Sequence, residues 1–157
     1  MKRRDGSRVP LIKWNTRTVP LLQMKGMKRV KLNKIHHIAI ICSDYEVSKS
    51  FYVNVLGLEI LKETYRSERE SYKLDLMVNG HYQIELFSFP NSPERASYPE
   101  ARGLRHLAFE VEDVEEAAAE LREKAVEVEE VRLDPITGKK FTFFEDPDHQ
   151  PIELYES

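Results

Sequence analysis

Arg105-His106-Leu107-Ala108-Phe109-Glu110-Val111-Glu112-Asp113 has an earlier counterpart in His36-His37-Ile38-Ala39-Ile40-Ile41-Cys42-Ser43-Asp44. Each reads as a histidine, a short apolar strand and an aspartate that opens a helix. His37 precedes Asp44 by the same interval as His106 precedes Asp113. A second pair keeps the same beat: Ile84-Glu85-Leu86-Phe87 and Ile152-Glu153-Leu154-Tyr155. The histidines are 69 residues apart (37 to 106) and the glutamates 68 (85 to 153). The chain therefore reads as one module written twice. Each module supplies one His and one Glu, and the duplication predicts that these four side chains meet around one divalent metal.

The 157 residues suit one compact domain or two small modules sharing a core. A 41% apolar content is enough for a packed interior, while 32% charged residues and a mean hydropathy of -0.54 describe a soluble chain. No apolar run reaches membrane-spanning length. The single cysteine, Cys42, excludes an internal disulfide and fits a reducing, cytoplasmic compartment. Its place in an apolar strand predicts a buried thiol. The net charge of -3 conceals an asymmetry: residues 1–34 carry 11 Lys/Arg against Asp5 alone, a balance of +10, so the remainder carries -13. An acidic globular part argues against a nucleic-acid surface.

Residues 1–33 keep no regular period and are broken by Gly6, Pro10, Pro20 and Gly26. They are expected to form a basic, flexible N-terminal extension. Residues 34–156 are expected to form the globular domain, with module one at 34–89, a proline-containing linker at 90–103 and module two at 104–156. In module one, Ile35 to Cys42 reads as a strand. Asp44 or Ser43 caps a helix carrying Val47, Phe51 and Val55 inward, and Gly57 ends it. Strands follow over Leu58 to Tyr65, Tyr72 to Val78 and Tyr82 to Phe89, the last two joined by Asn79-Gly80, a strong hairpin signal. Module two repeats the order. Its strand is Leu104 to Val111, and its helix, from Asp113 to about Lys124, has Val114, Ala117, Ala118 and Leu121 inward. Strands follow at Val126 to Leu133, Lys140 to Phe144 and Pro151 to Tyr155. Two βαβββ modules predict an α+β fold of curved mixed sheets around a metal-binding cup, with helices outside.

Strand alternation assigns the faces. Ile84 and Leu86 point to the core, which turns Glu85 to the opposite face with Gln83 and Phe87. Ile152 and Leu154 do the same for Glu153, and Leu107, Phe109 and Val111 for His106; His37 matches His106. Two carboxylates and two imidazoles gathered without a cation would repel and be costly to bury. A dication cancels the charge and satisfies all four; this donor set suits Zn, Ni, Co, Mn or Fe without choosing among them, and Zn or Ni is the expectation. His36 shares a face with Ile38, Ile40 and Cys42 and is expected to be structural. His81 and His149 lie at turns and are expected at the surface.

Over about Lys34 to Glu156 these motifs resemble the vicinal oxygen chelate superfamily, which includes glyoxalase I, extradiol dioxygenases, methylmalonyl-CoA epimerase and fosfomycin-resistance proteins. The carrying stretches are His37-Ile38-Ala39-Ile40, Phe51-Tyr52-Val53-Asn54-Val55-Leu56-Gly57-Leu58, Ile84-Glu85-Leu86, Gly103-Leu104-Arg105-His106-Leu107-Ala108-Phe109, and Phe144-Glu145-Asp146-Pro147-Asp148 with Ile152-Glu153-Leu154. Within the superfamily, a His, Glu, His, Glu set matches glyoxalase I. The resemblance implies a lactoylglutathione lyase-like metalloenzyme, a lyase or isomerase. It would act on a small substrate with vicinal oxygens, a hemithioacetal or α-hydroxy carbonyl, by proton transfer through an enediolate. It also implies Glu153 as the catalytic base with Glu85 as its partner, and a homodimer. Ile41 and Phe89 stand where glyoxalase I carries an Arg and an Asn that hold glutathione. Arg66, Lys73 and Lys140 are candidates for holding a different anionic substrate group. His149 replaces the usual glycine after Asp-Pro-Asp. The alternatives are an Fe-dependent extradiol-type dioxygenase, which the extra carboxylate fits poorly, and a non-catalytic small-molecule binding or resistance protein.

Overall fold

Alternating apolar residues build two sheets of four strands each. The computed structural model describes residues 31–96 and 102–157, so most of the expected N-terminal extension and part of the linker lie outside the described residues. In the first module β1 (Ile38–Cys42) leads into helix α1 (Tyr45–Ser50), followed by β2 (Glu59–Arg66), β3 (Ser71–Val78) and β4 (His81–Ser88). In the second, β5 (Leu107–Val111) leads into α2 (Val114–Glu123), then β6 (Arg132–Leu133), β7 (Lys140–Glu145) and β8 (Pro151–Glu156). The sheet orders are β1-β4-β3-β2 and β5-β8-β7-β6, with β1 parallel to β4 and β5 parallel to β8. The expected α+β fold of two βαβββ modules is what the chain adopts. Residues 35–157 form one compact unit.

The inner faces are apolar as the alternation predicts. Leu74, Leu76, Ile84, Leu86 and Ile152 are essentially fully buried, and Leu107 and Leu154 nearly so. Each such side chain contributes about 1.5–3 kcal/mol of burial. A one-residue slip of β4 or β8 would drive Glu85 or Glu153 into this core, so the register is strongly specified. Asp44 caps α1 by accepting from the Val47 N–H at 3.1 Å, and Asp113 caps α2 by accepting from Glu115 and Glu116. Val114, Ala118 and Leu121 are buried on α2, and Cys42 is buried on β1. Burial pushes the Cys42 thiol up to about 11. Asn79 and Gly80 both take positive φ at the β3–β4 turn, as a primed hairpin turn requires.

Two elements differ from expectation. After α1 the chain widens into a π-helical turn over Phe51–Val55. The inward face carries Tyr45, Ser48, Phe51 and Tyr52, at ordinary helical spacing, while Val47 is 52% exposed. The predicted strand from Val126 to Leu133 shrinks to Arg132–Leu133 plus one bridge between Val128 and Phe144. The alternation of Val126-Glu127-Val128-Glu129 breaks at Glu130, and the Val128 and Glu129 carbonyls accept from Arg122 of α2.

The modules are tied through the Asp146-Pro147-Asp148 turn. The Tyr52 hydroxyl donates to Asp146 at 2.7 Å, the Ser43 N–H donates to Asp148, and Phe51 packs against Phe144. No helix among the described residues is long and apolar enough to cross a membrane.

Candidate metal and substrate site

The two modules position their His and Glu identically. Ala39 pairs with Glu85 across β1 and β4, and Ala108 pairs with Glu153 across β5 and β8. His37 and His106 each sit one residue before their strand, two positions from that alanine, and so on the glutamate's face. Alanine is the small residue at both paired positions; Glu85 is buried and Glu153 half-buried. His37 Nε2 lies 3.6 Å from Glu85 Oε2, and His106 Nε2 lies 3.0 Å from Glu153 Oε2. Donors sharing one ion through bonds of about 2.0–2.2 Å sit roughly 2.8–3.6 Å apart, so both pairs have ligand spacing, His37–Glu85 at its upper end.

The four do not meet in one chain. Among the described residues, no group of three or more His, Cys, Asp or Glu side chains could hold a metal ion. The chain thus presents two half-sites, one on each sheet.

The half-sites have different surroundings. Lys73 Nζ lies 2.7 Å from Glu85 Oε1 and also pairs with Asp75, while the Tyr82 hydroxyl donates to Glu85 as well. Burial pushes Glu85 up, but hydrogen bonds from Lys73 and Tyr82 outweigh it and hold the carboxyl below its ordinary range. Burial and the bond to Glu85 push Tyr82 up to about 12. His36 is a neighbour of His37 rather than a rival ligand: their Nδ1 atoms are 2.8 Å apart.

In the second half-site, Glu153 pairs across β7 and β8 with Phe143, whose ring is 5.3 Å from that of His106. His106 Nδ1 is buried with no hydrogen-bond partner, so the polar reach of this ring is through Nε2. An open groove of about 860 Å³ runs over this face, lined among others by His106, Glu153, Arg132, Phe141 and Phe143.

The candidate substrate residues separate. Lys73 lies against Glu85. Arg66 lies on the same face of the first sheet, over Phe87 and Phe89. Lys140 shares its strand face with buried Thr142 and Phe144, opposite to Glu153, and pairs with Glu115 of α2 at 3.0 Å. His81 and His149 are exposed.

Alternation missed Tyr82. It placed Gln83 beside Glu85, but the β3–β4 register shifts between Leu76 and Met77, which pair with Ile84 and Tyr82. Gln83 is the extra, exposed residue of this bulge. Asp75 and Phe143 were legible only once the cross-strand register was known.

Comparison with known proteins agrees with the fold. The model of the Glyoxalase/Bleomycin resistance protein/Dioxygenase superfamily matches residues 34–154. The uncharacterized protein YwkD of Bacillus subtilis is 65% identical over 125 residues, covering 80% of this chain and 98% of that protein. A lactoylglutathione lyase of Salmonella typhimurium is 28% identical over 129 residues, covering 79% of this chain and 93% of that one. The crystal structure of a glyoxalase family protein from Enterococcus faecalis superimposes with a TM-score of 0.73 at 52% identity, covering 78% and 97% of the two chains. The chain belongs to the Glyoxalase/Bleomycin resistance protein/Dioxygenase superfamily.

Proposed function

We propose that the chain is a metal-dependent lyase or isomerase resembling glyoxalase I. Its metal would be held by His37 and Glu85 of one copy and His106 and Glu153 of a second. The observation that carries this is the pair of matched half-sites, each with two donors at ligand spacing. One imidazole and one carboxylate neither hold a divalent ion firmly nor cancel its charge; two imidazoles and two carboxylates do, and an octahedral ion then keeps positions for substrate oxygens. A two-fold pairing makes two equivalent sites from four half-sites. Exposed Ile41, Ile60 and Leu61 on the first sheet are apolar surface that such a pairing can cover. Zn or Ni is the expected ion.

When bound, the metal supplies Lewis-acid stabilisation of the negative charge that develops on adjacent substrate oxygens. Glu153 takes a proton from the carbon beside the carbonyl and returns it to the neighbouring carbon. The different surroundings support this choice: Glu85 is held by Lys73 and Tyr82 and is a weakened base, whereas Glu153 fronts Phe143 in the open groove. The substrate class is a small molecule with vicinal oxygens, a hemithioacetal or α-hydroxy carbonyl.

The test is elemental analysis of the purified protein, then an isomerisation assay on hemithioacetals of methylglyoxal after loading with Zn or Ni. Turnover that follows metal content is expected. Metal-dependent affinity without turnover would assign a binding protein, and oxygen uptake with catechol a dioxygenase; either overturns the proposal.

A further inference from the structure

We propose that Arg66, seated over Phe87 and Phe89, is an anion-binding subsite that takes the distal carboxylate of a substrate whose adjacent oxygens lie at Glu85. This rests on the metal-site reading above and names the substrate more narrowly. The Arg66 guanidinium carbon is 4.7 Å from the Phe87 ring centre and 5.1 Å from that of Phe89. The two rings are stacked, with centres 5.8 Å apart and planes within 12°. Such a platform orients a guanidinium. The buried Ser71 hydroxyl fixes it from one side, accepting from Nε at 3.1 Å and from Nη2.

Lys73 shares the platform, its Nζ 5.8 Å from the Phe87 centre. The charges of the two cations have different fates. Asp75 and Glu85 neutralise Lys73. Among the described residues no carboxylate pairs with Arg66, whose polar contacts are to Ser71 alone. A guanidinium has five donors, so most remain for a ligand. One uncompensated charge on an aromatic platform suits a monoanion with an apolar stem, such as a carboxylate on a short carbon chain, which Arg can bind through two parallel bonds.

Position sets the length of that chain. Phe87 follows Glu85 by two residues on the same face, about 7 Å along the strand. A substrate holding vicinal oxygens at Glu85 and a carboxylate at Arg66 therefore separates the two by a few carbons.

Two probes isolate the interaction: 2-oxoglutarate and 2-oxopentanoate. Both have adjacent oxygens at one end and the same chain length, and only the first has a distal carboxylate. Titration calorimetry on zinc-loaded full-length protein is expected to give about 10- to 100-fold tighter binding of 2-oxoglutarate, the range for charge-assisted hydrogen bonds. Arg66→Ala is expected to bring the ratio close to one without changing the affinity for 2-oxopentanoate. Arg66→Lys should retain part of it, since an ammonium lacks the fork. Zinc stoichiometry and melting are checked for each variant; Arg66→Gln, which keeps the stem, replaces the alanine variant if that melts early. Zinc binding with no preference between the probes, or a preference that survives loss of the guanidinium, overturns the subsite and leaves the metal reading standing. Failure of the wild-type protein to bind either zinc or nickel overturns both.

Discussion

The Tyr52 hydroxyl donates to the Asp146 carboxylate at 2.7 Å, and this buried bond joins the helical arm of the first module to the last turn of the second. Burial raises the Asp146 pKa, opposed by the Gln150 N–H, the Tyr52 hydroxyl and the Asp148 N–H. Tyr52→Phe is expected to cost about 1–3 kcal/mol of unfolding free energy, because it strips a donor from a buried acid. The pH dependence has a definite sign. The folded carboxyl holds its proton to higher pH than the unfolded one, so its contribution is greatest in acid and falls as pH rises through the raised folded value. Urea unfolding across the acid range should show this slope in the wild type and its loss in Asp146→Asn.

Half-sites on separate sheets make a complementation test available. His37→Ala and His106→Ala proteins should each fail to bind metal. Mixed, unfolded and refolded together at equal amounts, they should regain about a quarter of wild-type metal content, since half the pairings are mixed and each mixed pair rebuilds one site of two. Recovery of none would refute a site shared between copies.

Glu153→Gln preserves shape while removing the proton acceptor. Turnover is expected to fall about 10²–10⁴-fold, with a much smaller change in metal affinity. Parallel loss of metal and turnover would reduce Glu153 to a ligand alone. Stopped assays on protein of measured metal content separate these outcomes.

Lys73 places a positive charge against a metal ligand. Lys73→Met is expected to raise zinc affinity on the order of tenfold, by removing like-charge repulsion. It should also lower the stability of the metal-free protein by about 1–2 kcal/mol, because Asp75 and Glu85 then face each other without a cation. Zinc competition and thermal melting read the two effects separately.

His149 adopts φ +61 in the turn that joins β7 to β8. Left-handed backbone costs a side-chain-bearing residue more than it costs glycine. His149→Gly should therefore raise stability by about 0.5–1 kcal/mol, net of the extra unfolded-state freedom of glycine. The ion pair it removes, with Glu145, is exposed on both sides and contributes little. Equilibrium unfolding at neutral pH checks this.

Much of this was legible from period and repetition. Ile84, Leu86, Ile152 and Leu154 alternate strictly, so the outward turn of Glu85 and Glu153 followed before any coordinates, as did both aspartate caps. Three things were not legible, each for a physical reason. The spacing of Val47, Phe51 and Val55 suits a helix as well as that of Tyr45, Ser48 and Tyr52, so Val47 was placed inward on a face the core does not use. A bulge shifts strand parity by one, so Gln83 was put where Tyr82 stands. The separation of the four donors into two pairs depends on tertiary arrangement, which no local pattern encodes. The Lys140 pairing with Glu115 was hidden because nothing in a two-residue spacing says which face of β7 is occupied by the helix.

Strand β2 forms the outer margin of its sheet and displays Ile60, Leu61 and Tyr65 to solvent. An uncapped margin with apolar side chains is a template for runaway association of incompletely folded chains. Glu59, Lys62, Glu63 and Arg66 are interleaved along the same strand and act as gatekeepers, since stacking identical copies would bring like charges together. Solubility during synthesis is therefore expected to draw on these charges, and neutralising the exposed Glu59 and Lys62 would first show as inclusion bodies rather than as a change in the mature molecule.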